Sequence, residues 1–240
     1  MRIAVLSDIH SNLPALDAVL AAAGDVDAIW HLGDVVGYGP DPDGVVDRLR
    51  EVDALGVRGN HDAAACGGDE IDWFNPDASR AIEWTRAAVS PATVAWLSAL
   101  PERGTLEGVE LVHGSPREPL WEYVTTASVA RANLALLDGR IGLHGHTHVP
   151  VAWIEQGGRV DLVRGRRGER LEVRGRRVLI NPGSVGQPRD GDRDAAFALL
   201  DTEAWTVEWH RAAYDIAAVQ GAMRAAGLPP SLSARLPVGL

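Results

Sequence analysis

Hydrophobic and polar positions alternate in blocks along the first third of the chain, and the blocks have the lengths of strands and helices. The short apolar run from Ile3 to Leu6 predicts a buried strand, and apolar residues from Leu13 to Leu20 recur at helical spacing. The same two patterns return at Ala28 to Leu32 and at Pro42 to Glu51, and a third strand is predicted at Val57 and Arg58. This β-α-β-α-β order is typical of a layered α/β sheet.

The middle of the chain is predicted to be largely helical, and the last part largely β. Helices are predicted at Pro76 to Ala88, Pro91 to Leu100 and Ser128 to Leu137, with short strands at Leu111 to Val112 and Ile141 to Leu143. Six further strands are predicted before a final helix from Asp215 to Gly227: Val151–Ile154, Val160–Val163, Leu171–Val173, Val178–Ile180, Ala196–Leu200 and Trp205–Trp209. No repeat or linker is visible, so we expect one domain over residues 1–240, with a two-layered β core flanked by helices.

Charge, cysteine count and the lengths of apolar runs exclude several classes of function and location. The formal net charge of −10 argues against broad binding to a nucleic-acid backbone, and the arginine-rich stretch from Arg159 to Arg177 is interpreted as a solvated hairpin face. The one cysteine, Cys66, excludes an intramolecular disulfide and suits a reducing cytoplasm. The N-terminal apolar run is too short for a signal peptide, and no window reaches the roughly 20 apolar residues of a membrane span. We therefore expect a cytoplasmic protein without a membrane segment.

Metal-binding residue types stand directly after the predicted strands. Ligands in open α/β sheets bind at the carboxyl ends of strands, so these side chains should converge on one rim of the sheet. The residues are Asp8, His10, Asp34, Asn60, His61, His113, His146 and His148.

The ligand types form a coherent set for transition metals. Carboxylates and imidazoles without a thiolate set suit divalent Mn, Fe, Zn or Ni. Asp34 has two oxygens with which to bridge two ions, and Asp8 and His10, two apart on an extended chain, would point the same way and hold one ion together. Two ions about 3.5–4 Å apart would clamp a phosphate oxygen and activate a water as the nucleophile.

Each motif taken alone has a plainer interpretation. Asp8 after a strand can be a helix cap, and Gly33-Asp34 can be a turn. Asn60-His61-Asp62 can be turn chemistry, and His146 and His148 can simply face solvent. The interpretation as a metal site depends on the conjunction of five polar clusters, each at the end of a predicted strand.

Five sequence blocks resemble the calcineurin-like metallophosphoesterases, in the order that this family shows. The resemblance covers about residues 1 to 190, and the Gly59 and Gly145 blocks are its most specific parts. The extensions Ser11 to Leu16 and Gly37 to Pro40 resemble a small prokaryotic branch related to diadenosine tetraphosphatases and phosphodiesterases. The five blocks are Asp8-Ile9-His10, Gly33-Asp34-Val35-Val36-Gly37, Gly59-Asn60-His61-Asp62, His113-Gly114 and Gly145-His146-Thr147-His148.

The resemblance implies an α/β fold, a four-layer α/β/β/α sandwich of two mixed sheets flanked by helices. It also implies a metal-dependent hydrolase of phosphate esters, a phosphodiester favoured, in which His61 contacts the phosphate and protonates the leaving oxygen. Two divalent metal ions are implied: the first held by Asp8, His10 and His148, the second by Asn60, His113 and His146, with Asp34 as the bridge.

One position departs from the family. Relatives often have a second acid three residues after the Gly-Asp, as a partner for the catalytic histidine, and this chain has Gly37 there. The orienting partner of His61 is therefore open, because Asp62 is only its neighbour in sequence and is expected to point elsewhere. Substrate contacts are predicted at Asn12 and at Arg189, whose guanidinium suits a phosphate.

Other aromatic residues leave alternatives open. His31, inside an apolar strand, is predicted to be a satisfied core or rim histidine. Three aromatic residues in irregular stretches either fill surface or stack on a base: Trp73, Phe74 and Trp121.

The expected partner is a small phosphorylated substrate, and a homo-oligomer is left open. Two other functions are weighed against hydrolysis of such a substrate. A non-catalytic metal-binding scaffold on the same fold would have no reason to keep His61. Cleavage of nucleic-acid phosphodiesters is disfavoured by the acidic charge balance.

Overall fold

The computed structural model describes the backbone of residues 1–240 and the side chains of residues 1–68 and 71–240. Two six-stranded sheets pack face to face, and each mixes parallel and antiparallel pairs. In spatial order, the first sheet contains β3 (Leu55–Gly56), β2 (Ala28–His31), β1 (Arg2–Leu6), β11 (Ala195–Asp201), β12 (Thr206–Ala212) and β9 (Arg170–Glu172).

The second sheet is built around three parallel strands. β5, β6 and β10 run parallel, and the remaining pairs are antiparallel. In spatial order it contains β4 (Arg103–Leu106), β5 (Val109–Val112), β6 (Ile141–Leu143), β10 (Arg177–Asn181), β7 (Val151–Gln156) and β8 (Arg159–Arg164).

Capping residues set where most of the helices begin. Asn75 and Ser90 accept hydrogen bonds from the first turns of two helices, each with a proline at the next position, as the sequence predicts. None of these helices, within the residues described, is long and apolar enough to cross a membrane. The helices are α1 (Leu13–Ala23), α2 (Pro42–Glu51), α3 (Asn60–Ala65), α4 (Pro76–Ala88), α5 (Pro91–Ala99), α6 (Ala127–Leu134), α7 (Ile216–Ala225) and α8 (Pro230–Arg235), with 3-10 turns at Asp69–Trp73 and Leu236–Val238.

The layers are held by side chains that alternate across the strands. In β1, Ile3 and Val5 share a hydrophobic cluster with Leu143 and Ile180 of the second sheet, while Ala4 and Leu6 belong to the cluster that includes the helices. Residues of α1, α2 and α5 cover the outer face of the first sheet, and α6 covers the outer face of the second. The predicted α/β/β/α sandwich of two mixed sheets is confirmed.

Three local predictions were wrong. The third strand lies at Leu55–Gly56 rather than at Val57 and Arg58, because the backbone N–H of Arg58 leaves the sheet and donates to Pro101 O at 2.8 Å. Strand β4 was missed, and so was helix α8, which begins at Pro230, beyond the helix predicted to end the fold at Gly227.

Candidate metal centre

The carboxyl ends of the parallel strands in both sheets meet at one edge of the sandwich. Hydrogen bonds tie the two sheets together there: His113 Nδ1 lies 2.8 Å from Leu32 O, and the backbone N–H of His146 donates to the carboxylate of Asp8 at 3.1 Å. All seven predicted metal ligands are buried at this edge: Asp8, His10, Asp34, Asn60, His113, His146 and His148.

Five of these seven residues have left-handed backbone conformations. Their φ angles are 54° for Asp8, 49° for His10, 52° for Asp34, 65° for His146 and 59° for His148. Such a conformation costs a residue with a Cβ roughly 1–3 kcal/mol and is concentrated at functional sites. The expectation of an extended chain at Asp8 and His10 was wrong, because tight turns rather than strand alternation aim the two side chains at one point.

The first group of ligand atoms comes from Asp8, His10, Asp34 and His148, whose donor atoms all lie within 4.8 Å of one another. His10 Nε2 and His148 Nε2 are 3.1 Å apart. Asp34 Oδ2 lies 3.7 Å from His10 Nε2, and Asp8 Oδ1 lies 3.3 Å from His148 Nε2. Two carboxylates and two imidazoles thus surround one small volume.

The second group shares Asp34 with the first. The donor atoms of Asp34, His113 and His146 also lie within 4.8 Å of one another. His113 Nε2 is 3.3 Å from Asp34 Oδ2, 3.0 Å from His146 Nδ1 and 3.0 Å from Asn60 Oδ1. The structure therefore brings all seven residues together, in two groups that meet at one carboxylate oxygen.

The carbonyl partners of three histidines indicate ring orientations that suit a cation. In a neutral ring, an Nδ1 that faces a carbonyl oxygen carries the proton, so Nε2 keeps a lone pair that points into the site. The Nε2 lone pairs of His10 and His148, 3.1 Å apart, repel each other unless a cation or a proton lies between them. The Nδ1–carbonyl pairs are His10 with Val36 at 3.2 Å, His113 with Leu32 at 2.8 Å and His148 with Gln187 at 2.5 Å.

Burial and charge keep most of these groups in the form that binds metal. Burial lowers the pKa of His10, His146 and His148, so their rings are neutral at neutral pH. Burial would raise the pKa of Asp8, but His148 beside it lowers that pKa to about 2. His113 is the exception: burial would lower its pKa, yet Asp34 raises it to about 9. A divalent cation between this pair would take the place of the proton.

His61 stands at the edge of the ligand groups, in the first turn of α3. Its backbone N–H donates to Asp34 Oδ1 at 2.9 Å, a close approach that depends on Gly59, where a Cβ would lie 2.1 Å from that oxygen. The His61 ring centroid lies 4.8 Å from that of His10 and 4.4 Å from that of Tyr38. Burial lowers the pKa of His61 to about 4. The ring is therefore fixed beside both ligand groups.

Asp62 does not orient His61. Its Oδ1 accepts a hydrogen bond from the backbone N–H of Val36 at 3.0 Å, and its Oδ2 accepts one from Gly59 at 2.9 Å. Burial, with the charge of Asp34, raises the pKa of Asp62 to about 7. His61 Nδ1 has no hydrogen-bond partner among the residues whose side chains are described. Asp62 thus holds α3 against the loop after β2, and packing positions His61.

The two predicted substrate contacts lie in different settings. Asn12 Oδ1 caps α1 by accepting from Ala15 at 3.2 Å, and its Nδ2 donates to Gly186 O at 3.0 Å, so both ends of the side chain are engaged within the protein. The guanidinium of Arg189 lies 5.8 Å from the ring centroid of Tyr38 and donates to Gln187 Oε1 at 2.9 Å. A substrate role for either residue stays a prediction.

Aromatic residues that the sequence did not single out also border the site. The ring centroid of the buried Tyr38 lies 4.5 Å from that of His10, and Tyr38 belongs to the Gly37–Pro40 segment that resembles the family. The ring of Tyr123 stacks on His146 at a centroid distance of 3.9 Å, and no sequence pattern indicated this contact. Trp73, Phe74 and Trp121 form a connected cluster, which begins where the Phe74 ring meets His61 at 4.7 Å.

Comparisons with known proteins agree with this geometry. Residues 1–204 match the family model described as the calcineurin-like phosphoesterase superfamily domain. A crystal structure of a metallophosphoesterase from Sphaerobacter thermophilus is 44% identical, with a TM-score of 0.92 over 100% of this chain and 99% of that one. Phosphodiesterase YfcE of Escherichia coli is 30% identical over 86% of this chain and 91% of its own. An uncharacterized protein of Methanocaldococcus jannaschii is 35% identical over 99% and 98%. The chain therefore belongs to the calcineurin-like phosphoesterase superfamily and is a hydrolase that acts on phosphoric ester bonds.

Proposed function

We propose that this protein is a two-metal phosphodiesterase that acts on small substrates. One observation carries the proposal: two pairs of imidazole nitrogens, 3.1 and 3.0 Å apart, face each other on either side of Asp34 Oδ2. The first ion would be held by Asp8, His10, Asp34 and His148, and the second by Asp34, Asn60, His113 and His146.

Two divalent ions in these positions would screen the charge of a phosphate and lower the pKa of the attacking water. The chain supplies the rest of the machinery. Carbonyl partners fix the ring orientation of His10, His113 and His148, so the ligand atoms are positioned before the substrate arrives. The carboxylates of Asp8 and Asp34 balance part of the cationic charge.

His61 is assigned to the leaving oxygen. Its ring is held among His10, Tyr38 and Phe74, at the border of both ligand groups. Burial keeps the pKa of His61 near 4, and an anionic phosphate beside the ring would raise that pKa toward the range in which a general acid works. His61 then donates a proton to the ester oxygen as the P–O bond breaks.

Features on two sides of the centre favour a diester over a monoester. The aromatic cluster of Trp73, Phe74 and Trp121 begins at His61, and a separate cavity opens beyond Tyr123 on the His146 side. A phosphodiester has two organic substituents to place in two such regions, whereas a monoester has one. The name of the Escherichia coli relative, a phosphodiesterase, supports the same preference.

The test is turnover of bis(4-nitrophenyl) phosphate and 4-nitrophenyl phosphate by chelator-treated protein, with and without added Mn²⁺. We expect metal-dependent turnover of both, with the diester favoured in kcat/KM. His61→Ala should reduce turnover by about 10²–10⁴-fold with unchanged metal content, while His210→Ala, on β12, serves as the control. Bound metal without turnover of either ester would favour the scaffold function, and a preferred monoester would remove the diester assignment.

A further inference from the structure

A cavity of about 470 Å³ adjoins the metal centre on the side of His146. Two residues form the wall nearest the centre. Thr147 lies between the ligands His146 and His148 in the chain, and the ring of Tyr123 stacks on the imidazole of His146 at a centroid distance of 3.9 Å. A volume of this size is typical of sites for small organic ligands. The Tyr123 ring thus contacts a predicted metal ligand and also lines the cavity.

The body of the cavity is apolar. Val149, Pro150, Trp153 and Leu162 line it, and Leu162 is 46% exposed although it is a large aliphatic residue. Trp153 is only 6% exposed, and its indole Nε1 has no hydrogen-bond partner in the part of the chain with described side chains. Its ring and the aliphatic side chains beside it therefore give a ligand a largely apolar surface.

The rim of the cavity is cationic, in a protein whose formal net charge is −10. Four arginines and two aspartates line it: Arg164, Arg166, Arg167, Arg211, Asp190 and Asp192. Two of the four guanidinium groups, those of Arg167 and Arg211, form ion pairs with aspartates of the protein.

Those two pairs are well formed. Arg167 lies 2.7 Å from Asp194, and Arg211 pairs with Asp190. Arg164 and Arg166 are exposed, and they form no ion pair or side-chain hydrogen bond with any residue in 1–68 or 71–240. Both belong to the arginine-rich stretch interpreted as a solvated hairpin face, and part of that exposed stretch also lines this cavity.

We propose that the cavity binds the second, non-leaving substituent of the phosphodiester, and that this substituent has an apolar body and an anionic end that pairs with Arg164 and Arg166. The inference rests on the proposed function and adds a substrate class to it. Carboxylate and phosphate ends share the chemistry that a guanidinium recognises, and both are included in the test. An apolar body alone would leave the two arginines without a role.

The experiment compares three diesters with the same leaving group, 4-nitrophenolate. Their second substituent is phenyl, 3-carboxyphenyl or 3-phosphonophenyl. We expect the two anionic substrates to have KM values about five- to tenfold lower than the phenyl ester, an advantage that shrinks in high salt. The double variant Arg164→Gln/Arg166→Gln should lose this advantage, so that its KM values for the two anionic esters rise to that for the phenyl ester. Arg159→Gln, an exposed arginine on β8 outside the cavity, is the matched control and should keep the advantage.

A binding measurement separates this inference from the proposed function. Calorimetric titration of metal-loaded protein with 3-phosphonobenzoate requires no turnover, and the double variant should bind it about five- to tenfold more weakly than wild type and Arg159→Gln. Equal binding by wild type and the double variant would overturn the inference whether or not the esters are hydrolysed. A loss in the double variant that is equal on all three esters would also overturn it. Metal-dependent turnover of the phenyl ester, by contrast, tests only the proposed function.

Discussion

Gly37 packs directly against the imidazole of His61. A Cβ at residue 37 would lie 2.5 Å from His61 Nδ1 and 3.2 Å from its Cβ, and the backbone of Gly37 has a φ of +96°. The family resemblance led to the expectation of an acid at this position, as a partner for the histidine. In this chain the ring of His61 fills the space beside residue 37. An acidic side chain at position 37 would therefore require His61 to move.

Gly37→Ala should therefore displace His61 without removing any metal ligand. We expect kcat to fall by roughly 10–100-fold, because small misplacements of catalytic groups are costly, while metal content stays at the wild-type level. Gly108→Ala is the control, since Gly108 also has a positive φ, of +76°, but nothing lies within 4 Å of its added Cβ. Both variants should lose about 1 kcal/mol or more of stability through backbone strain. Equal activity in the two would show that contact with His61 is irrelevant.

Arg189→Gln tests whether a guanidinium near the metal centre helps to bind phosphate. Arg189 lies against the ring of Tyr38, and its backbone N–H donates to His148 O at 3.2 Å. We expect KM to rise about tenfold and kcat to change by less than about threefold, as for the loss of a charge-assisted contact that is made in both ground and transition states. Arg193→Gln, an exposed arginine on the same loop, should leave both constants unchanged. A fall in kcat at constant KM would assign Arg189 to the chemical step instead.

The sequence was informative where the signal is local. The apolar run before Asp8 and the one before Asp34 located β1 and β2, and the parallel pairing of those strands places both carboxylates at one edge. The first turn of α3 gave no such signal. Its six residues are too few to show helical periodicity, and Asn and Asp, the residue types at positions 60 and 62, are also common in turns.

Other parts of the site depend on pairings that no local pattern contains. The left-handed conformations of Asp8 and His10 are imposed by hydrogen bonds to the loop after β2, in which their backbone N–H groups donate to Gly33 O and Asp34 O. The arginine-lined cavity is assembled from residues of both sheets, with Trp153 on β7 and Arg211 on β12. Its cationic rim becomes visible only when these strands are placed side by side.

The buried His31 should make the unfolding free energy of the protein depend on pH, independently of catalysis. It was expected to be a satisfied histidine and is instead buried with no hydrogen-bond partner for either ring nitrogen among the described side chains, and burial lowers its pKa to about 4. The unfolded chain binds a proton at His31 below about pH 6.5, whereas the folded chain does so only near pH 4. Protonation therefore lowers the unfolding free energy as the pH falls from about 6.5 toward 4. Above pH 6.5 His31 is neutral in both states and causes no such loss.

His31→Phe should remove this contribution. Between pH 7.5 and pH 5, wild type should lose about 2 kcal/mol more unfolding free energy than the variant, as measured by urea denaturation of both proteins at both pH values. Other buried histidines, including His144, affect both proteins alike and cancel in the difference. Parallel losses in wild type and variant would mean that His31 is not the titrating group.

The central proposal is that Asp34 would bridge two metal ions, since its Oδ2 lies 3.7 Å from His10 Nε2 and 3.3 Å from His113 Nε2. The most direct test is the metal content of wild type and Asp34→Asn after equilibration with Mn²⁺, measured by mass spectrometry with Asp25→Asn, an exposed aspartate, as the control. We predict two ions per chain in wild type and the control, and reduced occupancy at both positions in Asp34→Asn. One ion per chain in wild type, or the loss of a single ion in Asp34→Asn, would contradict the bridged centre.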